Sequence, residues 1–254
     1  MLYMSNHLYK NWCDVKTITF STGRTLHLLA EKSGARVHIH AELVETVHSH
    51  YEDPSHLADR IKRRGFKKAA KVFDAILPRT KKARSGHLGE ILAAEVIPAI
   101  LPSFQIPIKR LRWLDGRESA LRGEDLIGIA LSGSHVYFLK GESKSRQSIT
   151  PSVISKARQA LKANRGRPSQ HALGFVMHRL TELGNLKLAL VFEDFMLKKT
   201  IPSSDLVHLL FTLTGNDASV LLQDDLKAYT GKVDQHSVNF HVPDHQNFIS
   251  SVYK

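Results

Sequence analysis

Alternation of apolar and polar positions is clearest between Leu126 and Arg146. Two apolar runs, Leu126 to Leu131 and Val136 to Leu139, flank Ser132-Gly133-Ser134. Gly133-Ser134 suits a two-residue hairpin loop with glycine at its first central position. With that loop Ser132 pairs with His135, every later pair keeps the same sum, and Asp125 lies opposite Glu142. Strand side chains alternate faces, so Asp125, Glu142 and Lys144 share a face with Ile127, Ile129, Leu131, Val136 and Phe138. A bulge or a three-residue loop would shift the register by one and undo this arrangement.

Elsewhere the pattern predicts a mixture of strands and helices. Thr17 to Phe20, Thr25 to Leu29 and Arg36 to His40 read as short antiparallel strands, separated by Ser21-Thr22-Gly23 and Lys32-Ser33-Gly34. Ser55 to Leu77 carries an apolar helical stripe that Gly65 would break in two, and Pro78 with Arg79 to Arg84 forms a basic connector. Ser85 reads as the N-cap of a helix whose Leu88, Ile91, Leu92 and Val96 recur until Pro98 stops it. Glu90 stands beside that stripe with Ala94 and Ile97, as a solvated edge residue or as an acid aimed into a site.

Ile106 to Trp113 reads as a strand and Asp115-Gly116 as a turn. After the hairpin, a helix starts at Thr150-Pro151-Ser152 and runs to about Ala163, with Val153, Ile154, Ala157 and Leu161 inward and Lys156, Arg158 and Lys162 outward. Arg165 to Pro168 is a basic loop, His171 to Leu183 a helix, and Leu186 to Phe192 a buried strand. Ser203 to Leu213 and Val220 to Tyr229 read as helices, and Val238 to Val242 as an edge strand. The expected organisation is α/β: an N-terminal α+β module over 1–84, a mixed-sheet core flanked by helices over 85–200, and a helical and strand extension packed on it over 201–254.

Composition narrows the function. The chain has 254 residues, 42% hydrophobic and 24% charged, which is ordinary for a globular protein. Its single cysteine, Cys13, excludes an internal disulfide and a multi-cysteine zinc site and fits a reducing cytoplasm. No basic-then-apolar secretory signal or membrane-length apolar run is expected. His38/His40 and His48/His50/His56 lack acidic or cysteine partners at a familiar metal spacing and read as outward-facing polar residues. The net charge of +12 is not spread evenly: from Arg60 to Arg167 there are 24 Lys/Arg against 8 Asp/Glu. Such a concentration around the hairpin favours a polyanion, and nucleic acid over an anionic membrane. A phosphate loop of the G-x-x-x-x-G-K-[ST] kind is missing, so ATP hydrolysis of that type is not expected.

The open end of the hairpin supplies candidate chemistry. Asp125 and Glu142 on adjacent strands, with Glu90 from a helix, are hard oxygen donors suited to Mg²⁺ or Mn²⁺. Lys144, two residues past Glu142, reaches the same volume as a compact charge able to orient a water or stabilise a phosphorane. Arg146, Lys156 and Arg165 are candidate phosphate contacts. A surface Glu-x-Lys pair with no such role is the plain alternative.

The order helix with Glu90, strand, strand opening with Asp125, strand ending in Glu142-Ser143-Lys144, helix, then strand resembles the PD-(D/E)XK nuclease superfamily. Glu124 stands where that family usually has proline. The stretches SGHLGEILAAEVIP, RGEDLIGI and FLKGESKSR are similar to the small nuclease subunits of Hachiman anti-phage systems. The resemblance implies a restriction-endonuclease-like fold, Asp125, Glu142, Glu90 and the Ser143 carbonyl as metal ligands, and Lys144 as the catalytic lysine. It also implies DNA as substrate and a superfamily 2 helicase as partner. Two other readings stand beside it: a non-catalytic DNA-binding adaptor of a helicase, and a restriction- or resolvase-type nuclease outside such a complex.

Overall fold

Four parallel strands with an antiparallel hairpin strand at each edge make up the single sheet of the computed structural model, which describes residues 7–21 and 23–253. The strands are β1 (Cys13–Thr19), β2 (Thr25–Glu31), β3 (Leu126–Ser132), β4 (His135–Arg146), β5 (Leu206–Thr214) and β6 (Asp234–His241), and their order across the sheet is β1-β2-β6-β5-β4-β3. Pairs β2/β6, β6/β5 and β5/β4 are parallel, and β1/β2 and β3/β4 are antiparallel. The sheet therefore draws two strands from residues 1–84, two from 85–200 and two from 201–254.

The expected hairpin register is present. Ser132 pairs with His135, and the ladder runs without a bulge to Leu126 opposite Gly141. Gly133 supplies the positive φ (58°) that the first loop position demands. Parallel strands need long crossovers, and the helices that provide them cover both faces.

On one face lie α1 (His7–Trp12), α2 (Ala35–Ser49), α5 (Lys81–Ile100) and α10 (His245–Val252), packing Leu88, Ile91, Leu92 and Phe248 on Leu139, Leu209, Phe211 and Phe240. On the other, α7 (Gln170–Glu182) and α8 (Leu186–Leu197) bury Ile127, Ile129 and Phe138. There α6 (Pro151–Lys162) and α9 (Ser219–Ala228) bury Leu26 and Leu210. The remaining pair, α3 (Pro54–Arg64) and α4 (Phe66–Ile76), breaks at Gly65 (φ 78°), as the sequence pattern predicts.

Several expectations are corrected. Arg36 to His40 is not a strand but part of α2, so His38 and His40 do not share a strand face. Among the outward-facing histidines expected, His50 is instead buried, with its Nε2 2.7 Å from Glu95 Oε1. Helix α5 starts four residues before Ser85: Thr80 caps it by accepting from Ala83 N at 3.3 Å. Pro98 does not stop α5, because its missing N–H costs one bond near the helix end while Ile97 stays buried and Leu101 N still reaches Ile97 O at 2.7 Å.

Ile106 to Trp113 forms no strand among the described residues: the isolated bridge of Gln105 with Ile129 falls just before it, and Arg110–Trp113 turns into a 3-10 helix. Pro107 has no ladder donor there. Leu186 to Phe192 is helical: Leu188, Ala189 and Phe192 are buried at spacings of one turn while Leu186 and Leu190 face out. Ser203 to Leu213 is mostly strand β5, buried on both faces, which erases the alternation that would mark it. Val238 to His241 belongs to β6, which lies inside the sheet rather than at its edge, and Val242 follows its end. Arg158 is not outward. It is buried and bonds Asp225 at 2.6 Å, Gln235 at 2.6 Å and Ser237 at 2.8 Å. Thr22, in the turn expected at 21–23, lies outside the described residues.

Candidate active site

Helix α5 comes unusually close to β4 because Gly89 has no side chain. A Cβ at Gly89 would stand 2.9 Å from Ser143 Oγ and 3.1 Å from Ser145 Cβ. This close approach sets the next residue, Glu90, at the end of the hairpin. Nearby polar groups of α5 are all engaged: Ser85 Oγ lies 2.8 Å from Ser145 Oγ, His87 Nδ1 2.9 Å from Tyr51 OH, and Glu95 holds His50 and Lys109. Glu90 differs. Its Oε2 is buried without a hydrogen bond, and the nearest cation, Arg110 Nη1, is 3.7 Å away.

Opposite it, Asp125 lies one step past the ladder and its Oδ2 accepts the main-chain N–H of Ser143 at 2.8 Å. Glu142 is in contact with Lys144 through Oε1 and Nζ, and Lys144 Nζ also donates to Ser143 O at 3.3 Å. Along β4, Glu142 and Lys144 continue the side of Phe138, which is buried with Ile127 and Ile129, while Ser143 and Ser145 face α5 at Gly89. Asp125, outside the ladder, sits at the strand end between the two sides, held by Ser143 N.

The acids strain one another electrostatically. Burial first, then the Asp125 charge, pushes Glu90 from 4.5 up to about 8 against the pull of Arg110. Burial and Asp125 likewise raise Glu142, opposed by Lys144. Burial raises Asp125, opposed by the Ser143 bond and by Lys144 and Arg110. Such a set stores demand for positive charge. Among the described residues no three His, Cys, Asp or Glu side chains already form a cluster able to hold a metal ion. The residues nevertheless fit a hard divalent cation: every donor is oxygen, Glu90 Oε2 is unpartnered, and the carboxylates share an excess of negative charge.

Beneath the acids sits a layer that the sequence pattern did not reveal. Glu124 accepts from Ser169 N at 2.8 Å and Ser169 Oγ at 2.9 Å, tying the start of α7 to the hairpin. Lys140, 2% exposed, lies 3.5 Å from Glu124 and donates to Ala163 O (2.9 Å) and Arg167 O (3.1 Å). Arg110 donates to Glu124 O and, at 3.3 Å, to Arg122 O. Arg110 was hidden inside a stretch read as strand, and Lys140 inside an apolar one. Neither has a local signal.

The three phosphate-contact candidates are more scattered. Arg146 is exposed at the end of β4, its Nη1 on Ser145 O at 2.9 Å, and Lys156 is exposed on α6. Arg165 is exposed and adopts φ 58°, following Asn164 at φ 55°. Asn164 lines a shallow pocket with Glu142 and Lys140, which brings that loop beside the acids.

The chain matches the model of the HamA family over residues 6–254. The Hachiman protein HamA of Bacillus cereus is 24% identical over 153 residues, 60% of this chain and 54% of that protein. The match thus spans about half the length of that relative.

Proposed function

Because the chain belongs to the HamA family, we propose that it is the metal-dependent DNA nuclease of an anti-phage defence complex, built on a PD-(D/E)XK, restriction-endonuclease-like core. The observation that supports this reading is the hairpin end: Asp125, just past the ladder, holds the main-chain N–H of Ser143 between Glu142 and Lys144, and the buried, unpartnered Glu90 oxygen feels the charges of both Asp125 and Glu142.

Asp125 and Glu142 would hold Mg²⁺ or Mn²⁺, with Glu90 and the Ser143 carbonyl assisting. Bound there, the ion would polarise a phosphoryl oxygen and lower the pKa of an attacking water. Ser143 N fixes the Asp125 carboxylate in place, so that ligand needs no reorganisation. Lys144 neutralises Glu142 in the resting site, and on leaving it can orient the water or meet charge on the phosphorane. Arg110 sets a compensating charge beside Glu90. Arg146, Lys156 and Arg165 contact substrate phosphates.

A superfamily 2 helicase is the partner that the likeness to Hachiman proteins suggests, and it would supply an ATP-driven step for which this sequence carries no phosphate loop. Incubation of the protein, alone and with a helicase encoded beside it, with plasmid and Mg²⁺ tests the reading. Cleavage by wild type that is lost in Glu142→Ala and Lys144→Ala supports it. Cleavage undiminished in both removes this site, and an inert wild type even with its partner supports the adaptor reading.

A further inference from the structure

The pair α3–α4 is an arm with little core of its own. Among its described residues α3 buries none, and α4 buries only Ala69 and Phe73, whose ring packs 4.5 Å from that of His48. Between Arg60 and Lys71 the sequence places seven Lys/Arg and no Asp/Glu. All residues from Lys62 to Lys68 are exposed, and among the described residues none of Arg63, Arg64, Lys67 and Lys68 has an acidic partner within ion-pair reach. At the centre of this patch, just after the Gly65 break, Phe66 is 73% exposed.

Unpaired cations in such density repel one another and are relieved by phosphates, whose counterions they displace. An exposed phenyl ring among them gains nothing from a phosphate backbone, but it can stack on a base that is not already covered by neighbours. A membrane surface is the other polyanion to consider. Binding there needs a broad apolar face, whereas the arm's only exposed large apolar residues are Phe66 and, at 37%, Val72.

The arm's root also leads to the candidate site. Asp53 caps α3 by accepting from Ser55 N at 3.0 Å and pairs with Arg112 at 2.7 Å. Arg112 lies on the same 3-10 turn as Arg110. We propose that the arm Pro54–Ile76 grips nucleic acid where unpaired bases meet a charged backbone, with Arg63, Arg64, Lys67 and Lys68 on phosphates and Phe66 stacked on an unpaired base. It deepens the nuclease reading and rests on it for the choice of DNA.

The test uses the full chain in EDTA, with fluorescence anisotropy of labelled single-stranded, forked and circular closed duplex DNA across a salt series. The variant Arg63→Gln/Arg64→Gln/Lys67→Gln/Lys68→Gln should weaken all three and flatten the log-log salt slope by roughly 3 to 4. Phe66→Ala should weaken single-stranded and forked DNA by about 5- to 150-fold and leave the closed duplex unchanged. Wild-type affinity and slope in the fourfold variant overturn the proposal. So does an equal effect of Phe66→Ala on all three DNAs, or loss of binding to phosphatidylserine vesicles with DNA binding intact. EDTA separates binding from cleavage: DNA held by the arm but never cut after Mg²⁺ and the proposed helicase partner are added removes the nuclease reading alone, and cutting with arm-independent binding removes the arm alone.

Discussion

Ser143 N–H donates to Asp125 Oδ2 across 2.8 Å, from two residues past the last ladder pair of the β3–β4 hairpin on β4 to one residue past it on the other strand. The donor is the residue between Glu142 and Lys144, so one main-chain bond sets the aim of one acid relative to the other two groups. Asp125→Asn keeps an acceptor for that bond and loses the charge. It should leave the melting temperature close to wild type and lower Mg²⁺-dependent cleavage at least about a hundredfold, more than the loss of a group one shell further out. Parallel melts and plasmid cleavage rates check both halves.

Gly89 is a packing requirement. Alanine there meets Ser143 Oγ and Ser145 Cβ at 2.9 and 3.1 Å, so the Ser143 hydroxyl must turn aside and α5 and β4 must part by a few tenths of an ångström. Gly89→Ala should cost about 1–3 kcal/mol in denaturant unfolding. Cleavage should fall as well under conditions where the variant is fully folded, because Glu90 moves with the helix.

The acids of the site impose a pH dependence. Between 4.5 and about 8 the folded protein keeps the Glu90 proton and the unfolded chain does not. The unfolded state then binds fewer protons, so the contribution of Glu90 is greatest below 4.5 and is lost as pH rises through about 8. Glu90→Gln cannot ionise. In EDTA the melting temperature of the variant relative to wild type should climb between about pH 5 and about pH 8 and level off above. A difference that is flat with pH would show that Glu90 is not held protonated.

Lys140 and Glu124 form a buried pair, 2% and 7% exposed at their side chains and 3.5 Å apart. Lys140→Met strands Glu124 and frees two carbonyls, and should cost about 3–5 kcal/mol. Adding Glu124→Gln should restore part of that, giving a coupling of about 1 kcal/mol or more in a double-mutant cycle.

Local chemistry made the hairpin legible. Gly133-Ser134 fixes the turn, and the turn fixes the register as far as Leu126 opposite Gly141, one step short of Asp125 and Glu142. The break at Gly65 and the helices α6, α7 and α9 were legible for the same reason, since a stripe with one solvent face keeps its period. Strand β5 was not, because a strand buried on both faces shows no alternation, and α8 was not, because its apolar residues nearly surround it. Glu90 could be read two ways from sequence. Only the Gly89 contact with Ser143 and the unpartnered Oε2 decide that it points inward. Arg110, Lys140 and Arg158 act across large sequence separations, which no window of local pattern can contain.

The central claim is that the carboxylates on this hairpin cut DNA with a divalent cation. Its most direct test is the cleavage of plasmid by purified protein, with and without the proposed helicase partner, in Mg²⁺ and in EDTA, for wild type, Glu142→Gln and Lys144→Met. The account predicts Mg²⁺-dependent cleavage by wild type and none above background in either variant, with unchanged melting and DNA binding. Cleavage by both variants at the wild-type rate would contradict it.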